Sequence, residues 1–445
     1  MAREGLDVGF AGLAAWQGPA TWGQRTIWAP IAWYAPDDHY FNIALPLRLR
    51  RPVPPADLVA ALRALLTRHE SLRTSYRLGP DGLLAQRLHG AGRLTVRLVE
   101  VAAEQDLAGA LERVAAEEKA QRFELLGDGL PVRVCALLTA GEVVAAVLTV
   151  AHIAADGTGA QVVLDDLRRL LAQQRRRPGE LPPPVAGRQP REQAAYEAGP
   201  QAQARSAAAI ALWTRQLAAI PASLWPEQVG PGESERWWEG ELAAERLDAA
   251  SRVAAGRLGV SASAVVLAAL GQELGARTGC AAVPLKVILG NRVSEEQRSA
   301  VGAFAQNGLV VLAGADQADF GELAQAAGRA QLQTSRHGHY DPSALAAAVA
   351  GEEQRRGAVL DLNALFNDHR DLARPFAGEL AATAPGAFRW RSRWARQDCR
   401  FFFGLAQGSG GPIATLLVDT RCVPAAQVEP LLRGVEERVV AAALE

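Results

Sequence analysis

The chain has 445 residues, of which 49% are hydrophobic and 21% are charged, so its composition suits buried cores and excludes a disordered protein. Its 47 basic and 48 acidic side chains leave a formal net charge of -1, which excludes the broad positive field that holds nucleic acid. A chain of this length exceeds one ordinary core, so we expect two packed lobes or domains.

Three segments in the first half have apolar residues at the spacing of an amphipathic helix: 54–69, 105–123 and 160–172. Two prolines at the start of the first segment are typical of a helix beginning. Between the second and third helices lie two short runs rich in Val and Leu, 131–138 and 143–150, which a turn signal separates. They predict paired strands, and the third helix follows them after a short loop.

Proline, glycine and arginine crowd into 175–191, which is the signature of a linker. We therefore expect an N-terminal lobe at 1–180, a linker at 181–194 and a C-terminal lobe at 195–445. The C-terminal lobe repeats the α/β pattern, with a helix that Ser261 caps, helices near 318–335 and 425–443, and strands at 283–289, 310–312, 359–366, 401–405 and 413–418.

The four cysteines are far apart and show neither the spacing of a metal site nor that of a disulfide framework. The N-terminus lacks the apolar core of a signal peptide, and no run of about 18 uncharged apolar residues occurs. We expect reduced thiols, no bound metal, and a cytoplasmic protein that does not enter a membrane.

The loop after the second of the paired strands carries the residues best suited to chemistry. His152 leaves a run of Val and Ala, and Asp156 and Gly157 follow four and five residues later. An imidazole titrates near neutral pH and can accept a proton, while a glycine lets a substrate or another backbone approach closely. The spacing alone is a weak signal, because a histidine at a strand end is more often a hydrogen-bonded structural residue.

Several segments resemble, in order along the chain, the condensation domains of non-ribosomal peptide synthetases. Residues 68–74 (RHESLRT) are almost letter for letter the family's RHExLRT motif, and residues 151–157 (AHIAADG) correspond to its HHxxxDG motif. The other matching segments are TWGQRTIW at 21–28, YFNI at 40–43, GNR at 290–292, VGAFAQN at 301–307 and LFN at 365–367. The resemblance therefore extends over most of the chain.

The resemblance implies an α/β fold of two lobes, similar to chloramphenicol acetyltransferase, that form a V around a central tunnel. It implies that His152 accepts or positions the proton of an amine or hydroxyl that attacks an acyl thioester. A peptidyl or acyl carrier protein would deliver that thioester on its phosphopantetheine, so we expect no bound cofactor. The setting would be secondary-metabolite biosynthesis, such as that of an antibiotic.

The resemblance also implies roles for charged residues around the loop. Asp156 is similar to the family's structural aspartate, which pairs with an arginine, and either Arg68 or Arg73 is the expected partner. Arg292 and Asn307 are candidate contacts for the substrate or the pantetheine arm, although Arg292 can equally be a solvated arginine.

Two asparagines are candidates for the oxyanion site or the tunnel wall. Asn363 and Asn367 share a face if 359–367 is a strand, and their amides can then bind the oxyanion of a tetrahedral intermediate. An asparagine in a turn at the strand end is the alternative.

The chain departs from the HHxxxDG motif at Ala151, which stands where the family has its first histidine. Related acyltransferases of the same superfamily carry the single-histidine form HxxxDG. Three functions therefore stay open. The first is a stand-alone, monomeric condensation enzyme that acts in trans, because no adenylation or carrier segment is found. The others are an acyl-coenzyme A acyltransferase and a degenerate module that recruits a partner enzyme to a carrier protein.

Overall fold

The structure, a computed structural model, describes residues 3–102, 106–177, 179, 185–225, 230–370, 384–408 and 410–445. The chain divides into two units. The first comprises Met1–Gln203 and Gly290–Gln306, and the second comprises Ala204–Leu289 and Asn307–Glu445.

The elements up to residue 198 alternate between strands and helices. They are β1 (Arg3–Phe10), β2 (Trp16–Pro19), α1 (Trp22–Tyr34), β3 (Asn42–Val53), α2 (Pro55–Arg68), β4 (Thr74–Leu78), β5 (Leu84–Leu88), β6 (Gly92–Glu100), α3 (Leu107–Ala120), β7 (Val132–Thr139), β8 (Glu142–Ala151), α4 (Gly157–Arg176) and α5 (Pro190–Ala198).

The elements from residue 200 onward continue this alternation. They are α6 (Pro200–Ala219), β9 (Trp237–Ala243), α7 (Glu245–Leu258), α8 (Ala262–Thr278), β10 (Ala282–Leu289), α9 (Glu295–Arg298), β11 (Gln306–Ala313), α10 (Phe320–Arg336), α11 (Pro342–Arg356), β12 (Ala364–Asp368), β13 (Phe388–Trp394), β14 (Phe401–Gly408), β15 (Gly411–Asp419) and α12 (Val428–Leu444).

The main sheet of the first unit has the strand order β1-β6-β7-β8-β3, in which β6 and β7 are parallel and the other neighbours are antiparallel. Both of its faces are covered. Ala145 and Val147 of β8 pack with α3, whereas Leu148 and Val150 pack with α2 and α4. A strand that is buried on both sides reads as a continuous apolar run, which is why β8 lacks polar alternation.

The second unit is built on a sheet with the order β11-β10-β12-β14-β15-β9-β13. Strands β10, β12 and β14 are parallel to one another, and the strands from β14 to β13 are antiparallel. Helices α7, α8, α10 and α12 pack their apolar residues into one large core with this sheet. A smaller sheet of the first unit has the order β2-β5-β4.

Most predicted elements are confirmed to within a few residues. Ser261 caps α8, because its hydroxyl accepts the backbone N–H of Ala264 at 3.1 Å. The strand predicted at 359–366 was placed too early, since β12 spans Ala364–Asp368. The Asp361 carboxylate accepts the backbone N–H of Asn363, and such local side-chain capture of the backbone competes with strand pairing.

The two units differ from the predicted lobe boundaries. The segment 290–306, expected in the C-terminal lobe, belongs to the first unit, where the backbone N–H of Asp156 donates to the carbonyl of Gly302 at 3.1 Å. The predicted linker also falls within the first unit, and its residues from Pro190 onward start helix α5. Residues 181–184 of that linker lie outside the described residues.

Among the described residues, no individual helix has the length and apolar character to cross a bilayer, although the bent pair formed by α7 and α8 meets that criterion jointly.

Replacing the cap residue, Ser261→Ala, is expected to lower the free energy of unfolding by about 1 kcal/mol, because an N–H at the start of α8 loses its acceptor. Chemical denaturation of the full chain measures this change. The matched control is Ser335→Ala on the exposed side of α10, which should change stability by under about 0.5 kcal/mol. Equal effects of the two substitutions would contradict the capping role.

Candidate active site

His152 is the first residue after β8, and it differs from its neighbours in exposure. Ala151 ends the strand opposite Asn42 of β3. Ile153, Ala154 and Ala155 are fully buried, whereas His152 is only partly buried. The imidazole of His152 is therefore partly exposed at the end of the strand, whereas the next three residues are buried in the core.

Hydrogen bonds from other parts of the unit hold the backbone of this loop. The Ser71 hydroxyl donates to the carbonyl of Ala154 at 2.5 Å, and the Tyr76 hydroxyl donates to the carbonyl of Ile153 at 3.3 Å. The loop also closes on itself, because the N–H of Ala154 donates to the carbonyl of Ala151 at 2.8 Å. The backbone around His152 is thus fixed from several directions.

The carboxylate of Asp156 caps α4 and binds the segment 290–306. Its Oδ1 accepts the N–H of Gly159 at 2.8 Å, which satisfies an open donor at the start of the helix. The same Oδ1 accepts Nη2 of Arg292 at 2.6 Å, and Oδ2 accepts the N–H of Phe304 at 3.0 Å. The Asp156 and Arg292 side chains are each 6% exposed, so this is a buried ion pair.

Arg292 is the partner of Asp156, and the expectation that Arg68 or Arg73 fills this role was wrong. Nη1 of Arg292 donates to the carbonyl of Ala300 at 2.8 Å, Nη2 donates to that of Gly302 at 3.1 Å, and the guanidinium lies 4.7 Å from the centre of the Phe304 ring. The terminal nitrogens of Arg292 are therefore used inside the unit. The alternative of a solvated arginine was also wrong, because the Arg292 side chain is 6% exposed, whereas its contact with the substrate or the pantetheine arm stays a prediction.

Arg68 and His69 instead bind Asp166 in the middle of α4. Arg68 Nε and His69 Nε2 both lie 2.8 Å from Asp166 Oδ2. Burial raises the pKa of the Asp166 carboxyl, but the hydrogen bonds from His69 and Arg68 outweigh it and hold the pKa below its ordinary value. These residues join the end of α2 to α4.

Arg73 binds backbone carbonyls and an acid of its own motif. Its Nη1 donates to the carbonyls of Ala14 at 3.0 Å and His89 at 2.6 Å, and its Nη2 lies 4.0 Å from Glu70 Oε1. Glu70 also pairs with Arg191 at 2.9 Å, yet burial keeps the pKa of Glu70 above its ordinary value. The charged side chains of the RHESLRT segment thus have structural partners among the described residues.

A second chain of hydrogen bonds reaches the loop from α1. Gln24 Oε1 accepts the N–H of Thr21 at 2.8 Å, and Gln24 Nε2 donates to the Tyr76 hydroxyl at 3.4 Å and to Gln86 Oε1 at 3.2 Å. Tyr76 is fully buried, which raises the pKa of its phenol. Sequence reasoning missed Ser71 and Tyr76, although both lie beside or within the RHESLRT segment.

The residue at position 151 does not face an accessible part of the first unit. Ala151 is 2% exposed and lies in an apolar cluster with Ile31, Tyr76, Phe123 and Ile153. A histidine in its place would be surrounded by these side chains. Ala151 in place of a histidine therefore changes the side-chain packing in this apolar cluster.

Another part of the chain approaches Gly159 closely, but not Gly157. A methyl group added at Gly157 would meet no described protein atom within 4 Å, whereas one at Gly159 would lie 3.1 Å from both Arg292 Nη2 and the carbonyl oxygen of Gly302. The expected close approach of another backbone to Gly157 is thus wrong. The approach of a substrate to Gly157 stays a prediction.

The three predicted asparagines lie in the second unit. Asn363 precedes β12, and its carbonyl accepts the N–H groups of Arg400 at 3.0 Å and Phe401 at 3.1 Å, so the expected shared strand face with Asn367 was wrong. The Asn367 amide lies 2.5 Å from His369 Nε2. The carbonyl of Asn307 accepts the Tyr340 hydroxyl at 2.6 Å. Their roles toward an oxyanion, tunnel or substrate remain predictions.

No group of three or more His, Cys, Asp or Glu side chains in the described ranges could hold a metal ion. All four cysteines are free thiols, and burial raises the pKa of Cys135 to about 11.

A family model described as the condensation domain matches residues 19–373. This match covers most of the chain, so the protein belongs to the condensation-domain family.

The chain is similar to one domain of much larger synthetases. The nonribosomal peptide synthetase kk1B of Curvularia clavata is 28% identical over 292 residues, which are 64% of this chain and 2% of that protein. The chain thus spans about 2% of the length of this relative.

Two solved structures share the fold. The condensation domain that mediates chain release from the enacyloxin polyketide synthase is 21% identical, with a TM-score of 0.70 over 98% of this chain and 84% of that one. The X-domain from teicoplanin biosynthesis, solved as a complex with OxyB, is 20% identical, with a TM-score of 0.69 over 96% of this chain and 93% of that one. The expected chloramphenicol acetyltransferase-like α/β fold is confirmed.

Removing the partner of Asp156, in Arg292→Ala, is expected to lower the free energy of unfolding by about 3–5 kcal/mol, because a buried carboxylate loses its counter-charge. Thermal and chemical denaturation measure this change. Arg298→Ala, which removes an arginine 55% exposed in the same segment, is the control and should cost under about 1 kcal/mol. A small effect at Arg292 would show that the ion pair does not hold the segment.

Replacing Asp166 with Asn is expected to lower the free energy of unfolding by about 1.5–3 kcal/mol at pH 7, because charged hydrogen bonds to Arg68 and His69 are lost. The pKa of Asp166 is lower in the folded than in the unfolded protein. The advantage of the wild type is therefore present above the ordinary value of 3.8 and disappears as the pH falls through the lower folded value. Denaturation from pH 7 to pH 2.5 measures it.

The control for this pH profile is Asp165→Asn, the exposed neighbour that pairs with Arg168. It should cost under about 1 kcal/mol. A gap between wild type and Asp166→Asn that persists unchanged at low pH would contradict the assigned ion pairs.

Proposed function

We propose that this chain joins an acyl or aminoacyl thioester, carried on the phosphopantetheine of a carrier protein, to an amine or hydroxyl in the assembly of a secondary metabolite. Membership of the condensation-domain family supports this reaction class. The similarity to nonribosomal peptide synthetase kk1B supports a carrier-bound substrate.

One observation carries the proposal: His152 is the partly exposed residue of a loop whose next three residues are fully buried. Ser71 and Tyr76 hold two of the loop carbonyls, and Asp156 anchors the end of the loop through Arg292. Catalysis requires that a reacting group keep its geometry without reorganising, and a loop held in this way meets that requirement.

The chemistry that follows needs one group that exchanges protons. The nucleophile's nitrogen or oxygen attacks the thioester carbonyl carbon, the new C–N or C–O bond forms, and the C–S bond breaks. His152 accepts the proton that the nucleophile loses and returns it to the departing thiolate, so the products are an amide or ester and a free thiol. An imidazole with an ordinary pKa near 6.5 can exchange that proton at neutral pH.

Asp156 has a positioning role in this proposal. Its Oδ1 accepts from Gly159 and Arg292 and its Oδ2 accepts from Phe304, so both oxygens are engaged within the unit. It holds the start of α4 and the loop rather than acting on the substrate.

A second candidate is a module that recruits a partner enzyme to a carrier-bound substrate. Ala151 in place of a histidine and the likeness to an X-domain solved with OxyB favour it. Against it, Ala151 is buried in an apolar cluster, so its presence removes no accessible group from the first unit. We therefore prefer the catalytic proposal.

The variant His152→Ala is expected to reduce product formation about 100-fold or more, because the proton-exchanging group is lost. The assay incubates the full chain with an acyl-loaded carrier protein and a candidate amine, and intact-mass analysis follows the carrier. His337→Ala in the second unit is the matched control and should keep full activity. Both variants should unfold at the wild-type temperature.

The outcomes separate the candidate functions. Undiminished turnover by His152→Ala contradicts the catalytic role of this histidine. Equal turnover with a free acyl-coenzyme A and with the loaded carrier favours the coenzyme A-dependent enzyme. Carrier binding that survives His152→Ala, without turnover of any donor by the wild type, favours the recruitment module.

A further inference from the structure

Lys286 is a charged residue inside an apolar strand of the second unit. Strand β10 reads AVPLKVIL, so Lys286 is its only ionisable side chain. The chain has two lysines, and the other one, Lys119, is exposed on α3 in the first unit. A primary amine in such a strand is costly to bury, so its surroundings need an explanation.

The side chain of Lys286 lies on the face of the sheet opposite to the large core. Val287, the next residue, belongs to that core, and successive side chains of a strand point to opposite faces. On its own face Lys286 is opposite Leu365 of β12, which is in turn opposite Phe402 of β14. Leu365 and Phe402 pack against an apolar cluster that consists of Trp237, Cys399 and Leu417. The neighbours of Lys286 across the sheet are therefore apolar.

The charges around Lys286 do not bind its amine directly. Three ionisable groups act on it from a distance: Asp398, Cys399 and Asp361. The Asp361 carboxylate already accepts Nη1 of Arg400 at 3.0 Å. No hydrogen bond or ion pair joins the Lys286 amine to a residue in the ranges that the structure describes. Lys286 is still partly exposed, so a small reagent can reach it.

These surroundings favour the neutral form of the amine. Burial lowers the pKa of Lys286 below its ordinary value, and the carboxylates of Asp398 and Asp361 oppose this effect only in part. Burial also raises the pKa of Cys399 to about 12, so its thiol brings no negative charge at neutral pH. An amine attacks an electrophile only when it is neutral, and a lysine withdrawn from water among apolar groups is activated in this way.

We propose that Lys286 is a nucleophilic amine that acyl thioesters modify covalently, so that the second unit acquires an acyl-lysine. Nζ attacks the thioester carbonyl carbon, a C–N bond forms and the C–S bond breaks. The proton that the amine loses passes to the departing thiolate, so the products are an amide and a free thiol. The apolar neighbours Leu365 and Phe402 suit an apolar acyl chain, and the Asp398 carboxylate disfavours an anionic one. This modification goes beyond the acyl transfer at His152 and does not depend on it.

The test incubates the full chain with the N-acetylcysteamine thioester of octanoic acid at pH 7. Intact-mass analysis counts the acyl groups, and peptide mapping distinguishes Lys286 from Lys119 and the N-terminal amine. We expect Lys286 to react about tenfold or more faster than Nα-acetyl-lysine amide, whose amine has the ordinary pKa of about 10.4. This advantage should disappear as the pH rises to about 10, because the reference amine then becomes neutral as well.

Four variants identify the reacting group. Lys286→Met should lose the adduct and unfold at the wild-type temperature or higher, because a charge is removed from an apolar site. Lys119→Met is the matched control and should keep the adduct. Asp398→Asn removes a carboxylate that favours the ammonium, and it should accelerate the modification about twofold or more at pH 7. The modification should persist in His152→Ala, which separates it from the proposed acyl transfer.

Each possible result supports or overturns the proposal. A rate at Lys286 no higher than that of the reference amide, or an adduct confined to Lys119 or the N-terminus, would overturn it. A slower reaction of Asp398→Asn would contradict the role of the neutral amine. Loss of the adduct in His152→Ala would also overturn the proposal, because the acyl group would then arrive through the other site. If His152 proves non-catalytic, an adduct at Lys286 still supports it.

Discussion

The arrangement of the candidate site depends on one buried carboxylate, that of Asp156. Its two oxygens accept an N–H at the start of α4, a guanidinium nitrogen of Arg292 and the N–H of Phe304. A charge removed from water is costly unless its partners are complete, and here one partner comes from α4 and two come from the segment 290–306. These partners anchor the end of the loop that carries His152.

The RHESLRT segment also supports this loop. Its charged residues bind other groups: Arg68 and His69 bind Asp166, and Arg73 binds backbone carbonyls. The loop contact is made by the Ser71 hydroxyl. Helix α4 is thus held at its first turn by Asp156 and in its middle by Asp166, which binds the charged residues of the motif.

Local signals in the sequence were sufficient for the helices and strands with strong apolar periodicity. The hairpin of β7 and β8, the helix α4 after it and the Ser261 cap follow from residues within a few positions of each other. The alanine-rich helices α6 and α11 were not predicted, because a sequence rich in alanine shows no clear contrast between an apolar and a polar helix face. Edge strand β13 was missed because its pairing with β9 involves residues far away in the chain.

The site was only partly predictable, because sequence patterns reveal local features but not contacts between residues far apart in the chain. The residues of the loop were found, because a motif and a strand-to-helix transition are local features. The partner of Asp156 was not predicted, because the candidates were Arg68 and Arg73 of the nearby motif, and only the fold brings the distant Arg292 within 2.6 Å. Tyr76 was overlooked because its hydroxyl reaches a backbone carbonyl, which no side-chain pattern reveals.

The return of residues 290–306 to the first unit has a consequence for how the protein is made. A ribosome completes the first 203 residues, including His152 and Asp156, long before it reaches Arg292. Until then the Asp156 carboxylate lacks its counter-charge, although Ser71 and Tyr76 can already bind the loop carbonyls. The first unit is therefore complete only after the opening elements of the second unit, up to β10, have been synthesised, and the ion pair that anchors the loop of His152 forms only then.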